Sequence, residues 1–537
     1  MTGVKWMNDQ VRKQVITIES KWKMTLGEFF YCLYFAILLI AKGIGLIEGQ
    51  TLFSVAILLA CGCFAVKMVL TKYTVKELAV VSVLGLLFLI AFLQSGEKGI
   101  LFTGMTILGI KDVDMKKVFK LGFGIWCCTF FGIVLIHLSG ASNDLIFAHR
   151  KLGLGHILRY SLGFPHPNVL QISYVTWMAF FLYLWQPRTK KQWSVIGGLF
   201  LGNCYFFLYS ISYTGIILAT VYLAGYCYFT MRKSFSKLEK MLIQLVLPAC
   251  ALFSILGPVL IKGRLFDILN KILNTRFKLS NYFLTHQPVL LFGSELVEAP
   301  DHYSIDCSYV NCLLLYGAIL FLLIMAGYFF LVRQCVQQER RRELAMLTGF
   351  FIAGISEPFL FNSSFKNLTL LFLGGYFYEL LERESKSDGI SIWELSLVQG
   401  ERAFECAQKL FSYLRNIPGR IWLKAGLLGA GISIVITLVY ACQVKMPSAI
   451  YMPVSLSDTT GEEPIYIDPD KLPEDFDGWM PQYYDADTKM YKFTGNIIVM
   501  EQVRGVISCF LVSFGFIYGA EAVIYALFVQ RKKEIVK

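Results

Sequence analysis

Two stretches of this sequence carry side chains able to meet an anion or move a proton. The first, FAHRKLGLGHILRYSLGFPHPN, holds Arg150, Arg159 and His166, the last bracketed by Pro165 and Pro167. The second runs from IKGRLFDILNKILNTRFK to HYSIDCSYVN and holds Arg264, Arg276, Lys278, His302, Asp306, Ser308 and Tyr309. Glu357 stands apart in GISEPFLFN, immediately before Pro358. Guanidinium groups are permanent cations with forked donors that match phosphate-like anions, and an imidazole titrates near neutrality. The two prolines keep the backbone around His166 from continuing as helix. Asn168 is then placed to cap the next helix, whose free N–H groups favour an anion. The structural alternative is an interfacial histidine at a helix start, with Arg150 and Arg159 reaching lipid phosphates.

These residues must be held by a membrane protein. The chain has 537 residues, 56% hydrophobic and 16% charged, with a mean hydropathy of +0.56. A water-soluble chain of this size needs more polar surface. Most of the fourteen cysteines fall inside apolar runs with no CxxC spacing, and they read as small buried residues rather than a disulfide framework or zinc site. The N-terminal MTGVKWMNDQVRKQ has no apolar core followed by a cleavage site, so no removable signal peptide is expected.

Apolar runs of roughly 17–25 residues predict about fourteen spanning helices in an all-α polytopic protein. They lie near 28–47, 51–70, 77–95, 98–110, 119–138, 167–186, 193–211, 213–230, 241–261, 308–332, 344–361, 367–382, 422–442 and 505–529, the fourth short enough to be re-entrant. With both termini cytoplasmic, most of the 50 Lys and Arg fall on the inner side, as the positive-inside rule requires. The net charge of +12 then belongs to a basic belt beside anionic lipid, and nucleic acid is not an expected partner. All six histidines map to the outer side, together with Arg150, Arg159, Arg264, Arg276 and Lys278. Residues 264–278 have the apolar spacing of an interfacial amphipathic helix. His302, Asp306, Ser308 and Tyr309 open the tenth span, where capping by Asp306 competes with a functional role. Glu357, near the outer end of the eleventh span, is costly unless paired or facing a wet cavity.

The ordered set RYSLGFPHPN, GRLFDIL, LLFGSE, IDCSYVNCLLLYG and ISEPFLFNSSFKNLTLLFLGGY resembles the Wzy-type O-antigen and capsule polysaccharide polymerases, and more loosely the O-antigen ligases. The resemblance covers about residues 28–382. Members similar to this chain often carry Asn where Cys307 stands. What it implies is a multi-span, GT-C-like glycosyltransferase in the plasma membrane of a bacterium. Such an enzyme transfers a growing glycan from a polyprenyl pyrophosphate onto another lipid-linked repeat unit, at the outer face. On that reading Arg150, Arg159, Arg264, Arg276 and Lys278 meet the leaving pyrophosphate. His166 or His302 is the base, with Asp306 or Glu357 as orienter or alternative, and Asn168, Ser308 and Tyr309 in support. No nucleotide-sugar fold, phosphate-gripping glycine loop or acidic metal pair is visible, and neither metal nor cofactor is expected.

The expected organisation is a cytoplasmic N-terminus (1–27), a polymerase-like membrane domain (28–382) with outer loops 139–166 and 262–307, a cytoplasmic linker (383–421), a two-helix hairpin (422–529) with an acidic outer segment (443–504), and a basic tail (530–537). The hairpin plan is similar to that of chain-length regulators, and a separate regulator is one expected partner besides membrane lipids and the lipid-linked donor and acceptor. The acidic run DPDKLPEDFDG fails the EF-hand pattern at Leu472 and reads as a solvated loop; Trp479, Tyr483 and Tyr484 are sugar-stacking or interfacial candidates. Rival expectations are a lipid-linked oligosaccharide flippase, which should keep its cations in a central cavity and show two similar halves, and an outer-face ligase with the same chemistry but another acceptor.

Overall fold

The structure, a computed structural model, describes residues 24–140, 145–151, 155–185, 191–297, 305–384, 396–397, 419–443, 448–454 and 480–535. His302, the acidic run, Trp479 and most of 383–421 lie outside the described residues. Each of the fourteen apolar segments carries a helix. The first nine are α1 (Leu26–Gly43), α2 (Thr51–Leu70), α3 (Val75–Ser95), α4 (Lys98–Gly109), α5 (Met115–Leu138), α6 (Pro167–Leu184), α7 (Lys191–Ser210), α8 (Tyr213–Met231) and α9 (Lys237–Leu260). Then come α10 (Gly263–Ile272), α11 (Arg276–His286), α12 (Ser308–Asn311), α13 (Gly317–Gln337), α14 (Arg341–Ala353), α15 (Thr369–Glu384), α16 (Gly419–Gln443) and α17 (Asn496–Ile535). Among the described residues nine helices are long and apolar enough to cross a membrane, so the chain is a mostly helical, multi-pass membrane protein.

Helix starts follow local chemistry. Thr74 with Glu77 and Ser236 with Glu239 form reciprocal capping boxes, and Thr25, Asp114 and Ser212 each accept a first-turn N–H. At one end of the bundle charges from α1 to α5 pair: Glu77 with Lys111 at 2.6 Å and Glu28 with Lys117 at 2.8 Å, while Lys67 donates to the Lys111 carbonyl at 2.6 Å. The opposite end gathers Lys42, Glu48, Glu97 and Lys98, the last two at the start of α4.

Three features depart from the sequence expectation. The single amphipathic helix over 264–278 is two helices. Asn274 and Thr275 both take left-handed backbone angles (φ of 51° and 70°), and Thr275 N–H closes onto the Asn270 carbonyl at 2.9 Å. That turn re-aims the chain, so α10 buries none of its residues whereas Arg276 and Phe277 of α11 point inward. The cap of α6 is His166 rather than Asn168. Pro167 takes the first helical position, and the residue before a proline is held extended, so the imidazole Nδ1 accepts the Asn168 N–H at 3.1 Å. The eleventh segment stops being helical at Ala353, and residues 354–368 run on as largely buried irregular chain with a 3-10 turn at Pro358–Leu360.

The loops expected on the outer side contain strands that periodicity does not signal. After the two-residue pair β1 (Met24–Thr25) with β4 (Ser396–Leu397), the hairpin β2 (Ile146–Lys151) and β3 (Gly155–Tyr160) places Arg150 opposite His156 and Phe147 opposite Arg159. A small sheet of order β5 (Ile450–Pro453), β7 (Met490–Phe493), β6 (Tyr484–Asp485) lies between α16 and α17 in sequence. Tyr491 and Phe493 of this sheet, with Val454 and Met480 beside it, bury a second core with Leu158 of β3, so the C-terminal hairpin packs onto the β2–β3 loop.

Candidate functional site

Four chain segments that are far apart in sequence meet around one buried arginine. Arg276 opens α11 and is 4% exposed; its Nη2 lies 3.2 Å from Asp306 Oδ2 and 3.3 Å from Glu357 Oε1. Thr214, in the first turn of α8, donates to the same Glu357 oxygen at 2.8 Å. Lys366 is buried beside them and interacts attractively with Glu357 and repulsively with Lys42. Arg276 is the cation both carboxylates face, which is what makes their burial tolerable.

The irregular segment 354–368 shapes this cluster. A backbone without helix can sit at membrane depth only where protein groups satisfy its polar atoms. Ser308 supplies three of them: its hydroxyl donates to the Glu357 carbonyl at 2.5 Å and accepts from Leu360 N–H, and its own N–H donates to the Gly354 carbonyl. Tyr316 OH donates to the Phe361 carbonyl at 2.8 Å and Asn367 Nδ2 to the Leu360 carbonyl at 2.9 Å. Phe365, with a left-handed φ of 55°, drives its ring among Tyr34, Phe35 and Phe102. Gly99 lets α4 approach this segment, since a Cβ there would lie 2.7 Å from the Phe361 carbonyl oxygen.

A second irregularity lies beside it. Between α12 and α13 the chain makes a π turn over Cys312–Tyr316, a distortion common at functional sites. The LLFGSE segment crosses it: Ser294 N–H donates to the Leu314 carbonyl and Ala318 N–H to the Leu290 carbonyl. Gly293 and Gly317 meet there with positive φ, too close for a Cβ on either.

Asp306 is the accessible carboxylate, one-third exposed where Arg276 and Glu357 are almost wholly covered. Burial pushes its carboxyl above the usual aspartate range, and the Arg276 charge opposes that rise. The Cys307 cap of α12 makes no side-chain capping bond, and the Asp306 carboxylate is turned to Arg276. Arg276 also lines a small cavity with Ser254, Ser280 and Cys307, and its Nε is buried without a hydrogen-bond partner.

The other sequence candidates fall elsewhere. Arg159, 1% exposed, donates from Nε to the Ser210 carbonyl at 2.6 Å and from Nη2 to Asn168 Oδ1 at 2.7 Å, tying β3 to the C-terminal end of α7. His166 caps α6 and meets the Phe147 ring edge-on. Arg264 and Lys278 are exposed on α10 and α11. Tyr309 is fully buried, its OH on the Phe351 carbonyl. Arg150 is described by its strand pairing alone, and His302 lies outside the described residues. Sequence reasoning missed Thr214 and Lys366; neither a hydroxyl in an apolar helix nor a lysine in a polar-looking turn carries a signal of its own.

Among the described residues no three His, Cys, Asp or Glu side chains converge as a metal-ligand set. No family model matches the chain, and no curated protein or solved structure does.

Proposed function

We propose that this protein is a polysaccharide polymerase of the outer leaflet, joining polyprenyl-pyrophosphate-linked repeat units in capsule, exopolysaccharide or O-antigen synthesis. The observation that carries the reading is the Asp306–Arg276–Glu357 cluster. Its two carboxylates come from the motifs IDCSYVNCLLLYG and ISEPFLFN that resemble the Wzy-type polymerases, Arg276 follows GRLFDIL by seven residues, and a partly accessible acid is what deprotonation of a sugar hydroxyl requires. On this reading the chain crosses a bacterial plasma membrane fourteen times with both termini in the cytoplasm, and the cluster faces outward.

In this mechanism Asp306 is the general base that takes the proton of the acceptor hydroxyl. Arg276 positions it, and Glu357, held by Thr214, fixes Arg276. The departing pyrophosphate carries the developing negative charge, which pre-aimed cations stabilise most effectively where water is excluded. Arg264 and Lys278 stand exposed on the two helices flanking Arg276 and meet it there. The unshared Nε of Arg276 can add a donor without surrendering either carboxylate. His166 and Arg159 hold the first outer loop in shape.

The test is a gel ladder of lipid-linked and released glycan from cells lacking the protein, with a probe of which leaflet holds the lipid-linked units. Single repeat units on the outer leaflet with no ladder are expected. Units trapped on the inner leaflet would mean a flippase, and a full ladder on the carrier lipid with none transferred to its final acceptor would mean a ligase.

A further inference from the structure

Consecutive transmembrane helices joined by a short turn usually pack on each other, yet α8 and α9 diverge. Both pack on α14 instead. Between them lies an apolar groove of about 270 Å³, with Gly225 and Phe229 on one wall, Leu242 and Val246 on the other, and Gly349 of α14 as its floor. Gly349 brings the floor close, because a side chain there would run into Tyr222. The groove meets, at Glu239, a second cavity of about 480 Å³ lined by the turn Met231–Ser236. Residues 231–240 read MRKSFSKLEK, four basic side chains against one acid. That acid is already engaged: Glu239 accepts from Tyr228 OH at 2.5 Å, from Ser236 N–H at 2.7 Å and from Arg232. Arg341 holds the turn from behind through the Arg232 and Lys233 carbonyls. A fixed cationic rim thus stands over an apolar slot open to the membrane.

We propose that this groove binds one anionic glycerophospholipid, an acyl chain lying between α8 and α9 and the phosphate at Arg232 and Lys233. The charge balance of the rim selects an anionic headgroup over a zwitterionic one, and the apolar walls select a lipid over a free phosphate. The site is at the bundle end away from the Arg276 cluster and is independent of the polymerase reading.

The glycines supply the test. A Cβ at Gly225 would meet nothing within 4 Å, so Gly225→Leu can extend into the groove it lines; a Cβ at Gly124 on α5 is equally free and serves as control. The purified full-length protein is exchanged into a neutral detergent with equimolar phosphatidylglycerol and phosphatidylcholine, and retained lipid is read by native mass spectrometry. The wild type should keep one phosphatidylglycerol with a preference of about tenfold or more over phosphatidylcholine. Gly225→Leu should lose it, Gly124→Leu should keep it, and Lys233→Gln should lower the preference about fivefold. Retention of neither lipid, equal retention of both, unchanged binding by Gly225→Leu, or equal loss in Gly124→Leu overturns the proposal. So does displacement of the phosphatidylglycerol by added polyprenyl phosphate at equal concentration, since the carrier lipid would then be the occupant.

Discussion

At the scale of single residues, the site turns on which group holds the base role. Asp306→Asn preserves shape and removes the proton acceptor; polymer formation should fall about a hundredfold or more while the amount of membrane-inserted protein stays the same. The pH profile gives an independent readout. A base must be ionised, and burial places the Asp306 transition above the usual value of about 3.9, so the acid limb of activity should lie above that value. The Arg276 charge favours the ionised form, so Arg276→Gln leaves burial less opposed and should move the acid limb to higher pH in whatever activity remains. An acid limb that stays put, or moves down, takes the base role away from Asp306. His166 has the opposite expectation. As the cap of α6, its change to Ala should lower stability by about 1 kcal/mol, while Asn, a good cap, should recover most of that, and both variants should still make polymer. A folded His166→Asn protein that makes none would return the imidazole to the chemistry. Arg276, Asp306 and Glu357 were legible in the sequence because charges near membrane spans are costly enough to demand a reason. That they form one cluster was not, since the contacts join residues 81 and 30 positions apart, Arg276 to Glu357 and Arg276 to Asp306.

At the scale of elements, the helices were readable and the outer loops were not. An apolar run of spanning length has one outcome in a bilayer, but six-residue strands such as IFAHRK and GHILRY carry too few alternations to stand out from loop. The turn at Asn274–Thr275 shows the same limit: amphipathic spacing continues smoothly through it, and only the two left-handed residues break the helix. The C-terminal hairpin reads as a separate unit by sequence, yet Arg504 of α17 reaches deep into the membrane domain. It is 2% exposed, donates to the Leu208 carbonyl at 2.7 Å and the Leu158 carbonyl at 3.0 Å, and lies over the Tyr160 ring. Arg159 grips the next exposed carbonyl of the same helix end, at Ser210. Two buried arginines, one in the strand itself and one 345 positions later, therefore fasten one helix terminus to one strand. Arg504→Ala leaves two buried carbonyls unpartnered, and roughly 2–5 kcal/mol of stability should be lost. Hydrogen exchange should rise first in β3, followed by weaker polymerisation. Unchanged protection of residues 155–160 would mean that the hairpin merely leans on the membrane domain.

At the scale of the whole molecule, the number of crossings decides where the site stands. Nine crossings, the number of long apolar helices among the described residues, would leave the two termini on opposite sides; fourteen leave them on the same side. The short helices make the difference, and α4 is the instructive one. Its twelve residues rise only about 18 Å, well short of a hydrocarbon core near 30 Å. Even so, its start pairs with Glu48 through Lys98, and its far end leads into Lys111, which pairs with Glu77. It therefore connects the two charged ends of the bundle and is covered by protein on nearly every side, and on the fourteen-crossing proposal it counts as a crossing despite its length. Two cysteines introduced into a cysteine-free background test this reading with a membrane-impermeant maleimide. Lys278→Cys, beside the Arg276 cluster, should label in intact spheroplasts; Lys233→Cys should label only after lysis. Of the helices between them only α9 is of membrane length, and with a mean hydropathy of 2.1 it is long and apolar enough to cross. Reporters at the two chain ends should then both be inaccessible from outside. Ends on opposite faces would reduce the short helices to packing elements and could invert the site, because Asp306 lies downstream of α4; a cluster facing the cytoplasm has no lipid-linked acceptor of the outer leaflet to deprotonate.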